Sequence, residues 1–340
     1  MKAMVLHSPA KAEQQPLKLE EDIQIGHPKE NEVLVDVEVC GVCRTDLHVV
    51  EGDLPPVLAR VIPGHEIVGI VEKMGGGVRT LAVGDRVGVP WLHHTCGRCE
   101  FCINGRENLC NNKVFTGYTV NGGYAQQVLG EEGFVFRLPE NVEAKRVAPF
   151  LCAGIIGYRA FKVALPGPGG RIGFFGFGGS AHLILQFASK LGYETVAYSR
   201  NTAHLELAKK LGASEAILSK ENRPNQDEAK RDLDGAIVFA PAGSVALEAL
   251  SYLKKGATVA IAAIHMDTIP PIEYDKYLFG ERKVVSVEAN TRTDAKEFLE
   301  LATRLNLDSA VTMRPLAEAN EALVDLKNGR VSGAFVLDCR

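Results

Sequence analysis

The stretch RIGFFGFGGSAHLILQFASKLGYETVAYSR, residues 171–200, decides how this chain is read. An apolar run, RIGFF, gives way to a glycine cluster. An amphipathic segment, HLILQFASKLG, follows, and then a second apolar run, ETVAYS. The order is strand, tight turn, helix, strand. Gly176, Gly178, Gly179 and Ala181 fit the pattern G-x-G-x-x-[GA]. The first glycine makes the turn and the second lets backbone approach a pyrophosphate. The last position must be small so that helix and strand can touch. The helix N-terminus then presents open N–H groups and a positive dipole end to phosphate. The motif alone is weak, and a glycine-rich turn of an unrelated α/β domain would also match. Its strand-turn-helix setting makes it a dinucleotide fingerprint. The alternation continues through DLDGAIVFAPAG, SVALEALSYLKKG and ATVAIAAI. Residues 151–289 are therefore expected to form a doubly wound parallel sheet, making the chain an α/β protein.

The end of the second strand selects the dinucleotide. NAD sites usually place an acid there, about twenty residues past the glycines, to hold the ribose diol. Here Ser199 and Arg200 occupy that end, and Glu194 stands at the other. A hydroxyl and a guanidinium suit a 2′-phosphate. NADP(H) is the expected cofactor, with NAD(H) as the alternative. In the competing reading Arg200 only stacks on adenine or faces solvent.

Upstream the texture is different. NEVLVDVEVCGVC, EIVGIVEKMGGGV and GDRVGVP are short alternating or apolar runs punctuated by glycine. Residues 1–150 read as a β-rich domain of short strands. Residues of about 290–340 are expected to complete it. There TDAKEFLELATRLNL reads as a helix and GAFVLD as a strand that returns to the first domain. ENRPNQDEAKR, residues 221–231, reads as a charged surface segment. With 340 residues the chain is long enough for two cores. A net charge of −4 leaves no basic excess to meet nucleic acid or an anionic membrane. No apolar run is long enough for a bilayer span, and no signal peptide is visible, so a cytoplasmic location is expected.

Half of the eight cysteines fall in one fifteen-residue stretch: Cys96, Cys99, Cys102 and Cys110. The spacing C-x2-C-x2-C-x7-C lets four thiolates converge on one tetrahedral Zn²⁺. A disulfide framework is the other reading, disfavoured without a secretory signal. Cys43 (in GVCRTDLH), His65 and Glu66 (in PGHEIVG) and Cys152 (in FLCAGIIGY) are scattered. Two thiolates and an imidazole leave a fourth position open, as a catalytic zinc requires. Residue types alone do not group them. A lone buried Cys152 is more often a small hydrophobe, and a lone His65 a loop histidine.

Taken together, these motifs resemble the zinc-dependent alcohol dehydrogenases of the medium-chain dehydrogenase/reductase superfamily, over nearly the full chain. GHEIVGIVEKMGGGV, from Gly64 to Val78, satisfies the family pattern, and VGDRV follows at Val83–Val87. The four-cysteine lobe and the glycine fingerprint come in the family's order. Within the family the chain looks most similar to bacterial, cinnamyl-alcohol-dehydrogenase-like members. The resemblance implies a GroES-like catalytic domain beside the Rossmann sheet, two zinc ions per chain, and a homodimer or homotetramer.

The resemblance also assigns roles. It implies that Cys43, His65 and Cys152 hold a catalytic zinc, with Glu66 as an alternate ligand and Asp46 steadying His65 or the zinc charge. The four-cysteine zinc is then structural. Thr45 would accept the alcohol proton, His48 would pass it to solvent, and Arg44 would meet the cofactor pyrophosphate. Trp91 and Leu54 would line the substrate pocket, Leu54 replacing a larger tryptophan of some ethanol-preferring relatives. That would admit longer or aromatic alcohols. One departure is Ala334, where relatives often place an arginine on the cofactor phosphates; Arg292 either substitutes for it or is a surface residue. The implied reaction moves a hydride between an alcohol and NADP⁺, in a cleft between the domains, forming an aldehyde or ketone. NAD-dependent alcohol or polyol oxidation is the nearest alternative. A non-catalytic zinc- or nucleotide-binding protein is the alternative from another class, and it would need neither Thr45 nor His48.

Overall fold

In the computed structural model, which describes residues 1–139, 142–165, 167–219, 231–331 and 333–340, the strand Glu32–Val42 carries the first half of the chain. The charged segment 221–231 falls, apart from Arg231, outside the described residues. Val33, Val35, Val37 and Val39 are all buried, and Asp36 between them is exposed. β-branched side chains on alternate positions suit a pleated, half-buried surface. The strand runs antiparallel to Glu66–Met74 along its length. On its other edge the N-terminal half pairs with Gln127–Glu131 and the C-terminal half with Ala334–Asp338. The ladder continues from Glu66–Met74 to Arg86–Val89 and Phe136–Arg137. Val311–Pro315 lies outside Ala334–Asp338, in parallel.

Contacts divide the chain into two units. The first comprises Met1–Cys152, Ala289–Leu299 and Asp308–Arg340, and the second Ala153–Glu288 and Glu300–Leu307. In the second, six parallel strands stand in the order Glu215–Leu218, Glu194–Ser199, Arg171–Phe175, Leu233–Val238, Leu253–Ile261, Lys283–Ser286. Numbered along the chain this is 3-2-1-4-5-6, the dinucleotide-binding order of the Rossmann fold. Arg171–Phe175 is central and buried at its last four positions. The helix Gly179–Lys190 packs on Ala153–Ala164. A Cβ on Gly157 would stand 2.2 Å from Ile184, so glycine is what lets these two helices meet.

The glycine turn is built from two different requirements. Gly176 has φ +87°, and a Cβ there would lie 2.9 Å from the Ala240 backbone nitrogen. Gly178 has an extended backbone and faces open space. Gly176→Ala is therefore expected to destabilise the fold by about 1–3 kcal/mol in urea unfolding. Gly178→Ala should stay within about 0.5 kcal/mol of the parent. Equal losses in the two variants would contradict this division of labour.

Candidate metal centres and dinucleotide turn

The helix Arg44–Glu51 begins at Cys43. Asp46, at its third position, turns back to accept a hydrogen bond from the Cys43 backbone N–H at 2.9 Å. The same carboxylate accepts from His65 Nδ1 at 2.7 Å, from the Gly64 N–H at 3.2 Å and from the Tyr124 hydroxyl at 3.1 Å. Four donors satisfy a side chain that is 1% exposed. With Nδ1 donating to Asp46, His65 carries its lone pair on Nε2. That atom is buried and has no hydrogen-bond partner among the described residues. It stands in one group with the sulfurs of Cys43 and Cys152, the three ligand atoms all within 4.8 Å of one another.

The sulfur spacing tests whether a metal fits. Zn–S bonds of ~2.3 Å in a tetrahedron place neighbouring sulfurs ~3.8 Å apart, whereas a disulfide needs ~2.0 Å. Cys43 and Cys152 are 3.6 Å apart. In the lobe, Cys99–Cys102 and Cys96–Cys110 are each 3.5 Å apart and Cys96–Cys102 is 3.9 Å. All eight cysteines are free thiols. Both groups fit a metal and neither fits a disulfide. Polar groups surround these ligand atoms. Backbone N–H groups of Arg98 and Cys99 aimed at Cys96 hold its thiol at about 6. The Asn112 N–H points at Cys110 Sγ at 3.4 Å. The Cys152 thiol, as a hydrogen-bond donor, pulls Cys43 well below the ordinary thiol range, and its own pKa is pushed up in return. Burial opposes a charge on His65, yet the Asp46 carboxylate outweighs it and raises the imidazole well above its usual value.

The two groups differ in completeness. Four thiolates would close the coordination of a tetrahedral ion in the lobe, whereas two thiolates and an imidazole would leave such an ion one further position. Glu66 is buried, but it is not one of the three converging ligands; its carboxylate occupies the space beside Gly41, where a Cβ would stand 1.9 Å from Glu66 Oε2.

Thr45 is buried, with its hydroxyl 3.8 Å from Cys43 Sγ. His48 is one helical turn further along, and its Nδ1 is 2.7 Å from Asp53 Oδ2. Arg44 is exposed at the first position of the helix. Trp91 stands edge-on to the His65 ring, centroids 4.9 Å apart, and stacks on Phe115 and Tyr118. Leu54 lines a cavity of about 390 Å³ with Val49, Val61 and Tyr118, among others.

In the second unit, the Gly176 N–H donates to the Tyr198 carbonyl at 3.0 Å, which ties the glycine turn to the end of the neighbouring strand. Ser199 is buried there and Arg200 is exposed, without an ion-pair partner among the described residues. Ala181 is fully buried beneath the first turn of the helix, and Gly178 and Gly179 open that helix. The open space at Gly178 is what a phosphate cradle needs. Glu194 is held at the opposite end of its strand by Arg171.

Two positions singled out in the sequence lie in the first unit. Arg292 is engaged by Glu107. Its backbone N–H and its Nε both donate to Glu107 Oε1, at 2.9 and 3.2 Å, and its guanidinium lies 4.9 Å from the Phe134 ring centroid. Ala334 is buried in a strand of the first unit, paired with Val311. Sequence reading missed Tyr124 and Asp53. The only signal for Tyr124 is the pair Gly122-Gly123 before it. A Cβ on Gly122 would lie 2.0 Å from the Gly64 carbonyl, so glycine there permits the close approach.

Cys99→Ser opens the four-thiolate shell while leaving the other group intact. It should lower zinc content by about one ion per chain and Tm by roughly 5 °C or more, read by elemental analysis and calorimetry. An unchanged Tm and metal content would refute a structural metal in the lobe.

Comparison with known proteins agrees with this architecture. The family described as alcohol dehydrogenase GroES-like domain matches residues 29–140, and that described as zinc-binding dehydrogenase matches residues 179–304. A probable alcohol dehydrogenase, AdhA, of Mycobacterium tuberculosis is 46% identical over 323 residues, 92% of this chain and 90% of the relative. An alcohol dehydrogenase of Geobacillus stearothermophilus is 38% identical over 99% of this chain and 98% of its own length. A cinnamyl alcohol dehydrogenase structure from Sorghum bicolor superposes with a TM-score of 0.89 at 27% identity, covering 99% of this chain and 97% of that one. The likeness runs through both units and includes the zinc-binding dehydrogenase region, so the chain belongs to the zinc-type alcohol dehydrogenases of the medium-chain dehydrogenase/reductase superfamily and is an alcohol oxidoreductase.

Proposed function

We propose that the chain interconverts small alcohols and their aldehydes or ketones with NADP(H), using zinc held by Cys43, His65 and Cys152. The observation that carries this is the convergence of those three ligands around one open position, while Asp46 occupies the far nitrogen of the imidazole. A zinc ion bound there would polarise the alcohol oxygen as a Lewis acid. The chain's own residues account for the rest. The buried Thr45 hydroxyl sits beside Cys43 and takes the alcohol proton, and His48, on the same helix face, releases it to water. Trp91 forms an apolar wall against His65 and excludes water from that side. Leu54, less bulky than a tryptophan, leaves room for medium-chain or aromatic substrates.

The preference for the 2′-phosphorylated cofactor rests on Arg200. It is an uncommitted guanidinium at the strand end tied to the glycine turn, and the one acid of that strand, Glu194, is held at the opposite end by Arg171. Losing a charge-assisted hydrogen bond costs about 1.5–3 kcal/mol, or roughly 10–100-fold. Arg200→Ala should therefore lower kcat/KM for NADPH by about that factor and leave NADH nearly unchanged. A parent enzyme that prefers NADH overturns the assignment.

A homodimer fits the second unit. Its outer parallel strand, Lys283–Ser286, ends the sheet with Val285 exposed, and Tyr274 and Phe279 are exposed in the segment before it. An unpaired edge with apolar neighbours favours pairing with a second copy. Light scattering should give a multiple of the chain mass, and Val285→Lys should lower it. A monomeric parent would dismiss the interface.

A further inference from the structure

Tyr124 is fully buried in the apolar core of the first unit. A phenylalanine would fill the same space and bring no polar atom that needs a partner. The hydroxyl therefore calls for a reason. A carboxylate only accepts, so the phenol is the donor in its 3.1 Å bond to Asp46 Oδ2. The bonds to Asp46 divide between its two oxygens. His65 Nδ1 and the Gly64 N–H reach Oδ1, at 2.7 and 3.2 Å. The Cys43 N–H and the Tyr124 hydroxyl reach Oδ2, at 2.9 and 3.1 Å. One oxygen addresses the histidine and the other is held from behind. Turning the carboxylate about its Cβ–Cγ bond breaks bonds on both. Without the phenol, Oδ2 keeps a single donor, the backbone of Cys43.

The phenol is placed by the loop that it helps to fix. The N–H groups of Gly122, Gly123 and Tyr124 donate to the carbonyls of Ile62, Gly64 and Pro63, at 2.7, 3.0 and 2.9 Å. Asn121 Oδ1 accepts from the Ile62 N–H at 3.1 Å. On the other side the Tyr124 carbonyl accepts from the Met4 N–H at 2.8 Å. Gly64 has φ +98°, and a Cβ there would stand 2.4 Å from Cδ1 of the Tyr124 ring. The ring thus lies directly on the residue before His65. Residues 121–124 fasten the loop that carries His65 through their backbone. Through the phenol they also fasten the carboxylate that orients the imidazole. Partners of this kind, one step beyond the ligands, set ligand orientation and metal affinity.

We propose that Tyr124 is a positioning residue for the metal centre: by holding Asp46 Oδ2 it keeps Oδ1 on His65 Nδ1, and so sets how tightly Cys43, His65 and Cys152 bind zinc. This rests on the reading of those three residues as zinc ligands, and the test separates the two. Zn²⁺ is the probe. The full-length parent, Tyr124→Phe and Cys152→Ser are loaded with zinc and titrated with a chromophoric chelator, and the ions retained per chain are counted. Cys152→Ser should hold one ion fewer than the parent, which assigns that ion to the three-residue group. Tyr124→Phe, which keeps the ring, should bind the same ion about 10-fold more weakly. Its lobe ion should be held as in the parent, because no bond of Tyr124 leads to the lobe. A merely structural hydroxyl would not separate the two ions. If Tyr124→Phe holds both ions as tightly as the parent, the phenol has no positioning role. If it loses both together with its fold, the hydroxyl serves folding alone and the proposal fails. If Cys152→Ser retains the parent's zinc content, the reading of the three ligands falls and takes this proposal with it.

Discussion

One buried carboxylate organises the group formed by Cys43, His65 and Cys152. Asp46 receives hydrogen bonds from the start of its own helix, from the Gly64-His65 loop and from Tyr124. A carboxylate this deep in protein is costly unless its oxygens are fully paired, and here four donors meet them. Because those donors come from three separate segments, satisfying Asp46 also fixes the relative positions of Cys43 and His65. The tautomer of His65 follows from the same bond. The chemistry at Nε2 is thus decided on the other side of the ring.

The two cysteine-rich groups show how coordination number divides labour. The lobe is local in sequence, and its four thiolates leave nothing open. It is also fastened to the remainder of its unit: Glu107, between Cys102 and Cys110, accepts from the first residue of the helix Arg292–Arg304. A carboxylate at a helix N-terminus gains from the helix dipole as well as from the guanidinium. The other group is assembled from distant segments and offers three ligand atoms, one short of a closed tetrahedral shell.

The parallel sheet, its glycine turn and the four-cysteine lobe were legible in the sequence because each is local. Strand, turn and helix lie within thirty residues, and the lobe within fifteen. The three-ligand group was legible only through resemblance, since Cys43, His65 and Cys152 have no spacing rule to join them. Tyr124 was announced only by the glycine pair before it, and Asp53 by nothing. Tyr124 reaches Asp46 from 78 residues away, and Asp53 reaches His48 only because Gly52 reverses the chain. The partner of Arg292 was not legible either: a charged residue at a helix start gives no hint in sequence of which acid will meet it.

The sequence by itself determined the doubly wound parallel sheet of the second half, the short strands of the first and the four-cysteine lobe, because hydrophobic period, glycine placement and thiol spacing act over a few residues. Only the tertiary structure decided which side chains face one another. It brought two cysteines and a histidine to one point, gave Asp46 four donors and set Asp53 against His48. Those pairings are contacts between segments remote in the chain or folded back on themselves, and they exist only once the strands and turns that carry them have packed.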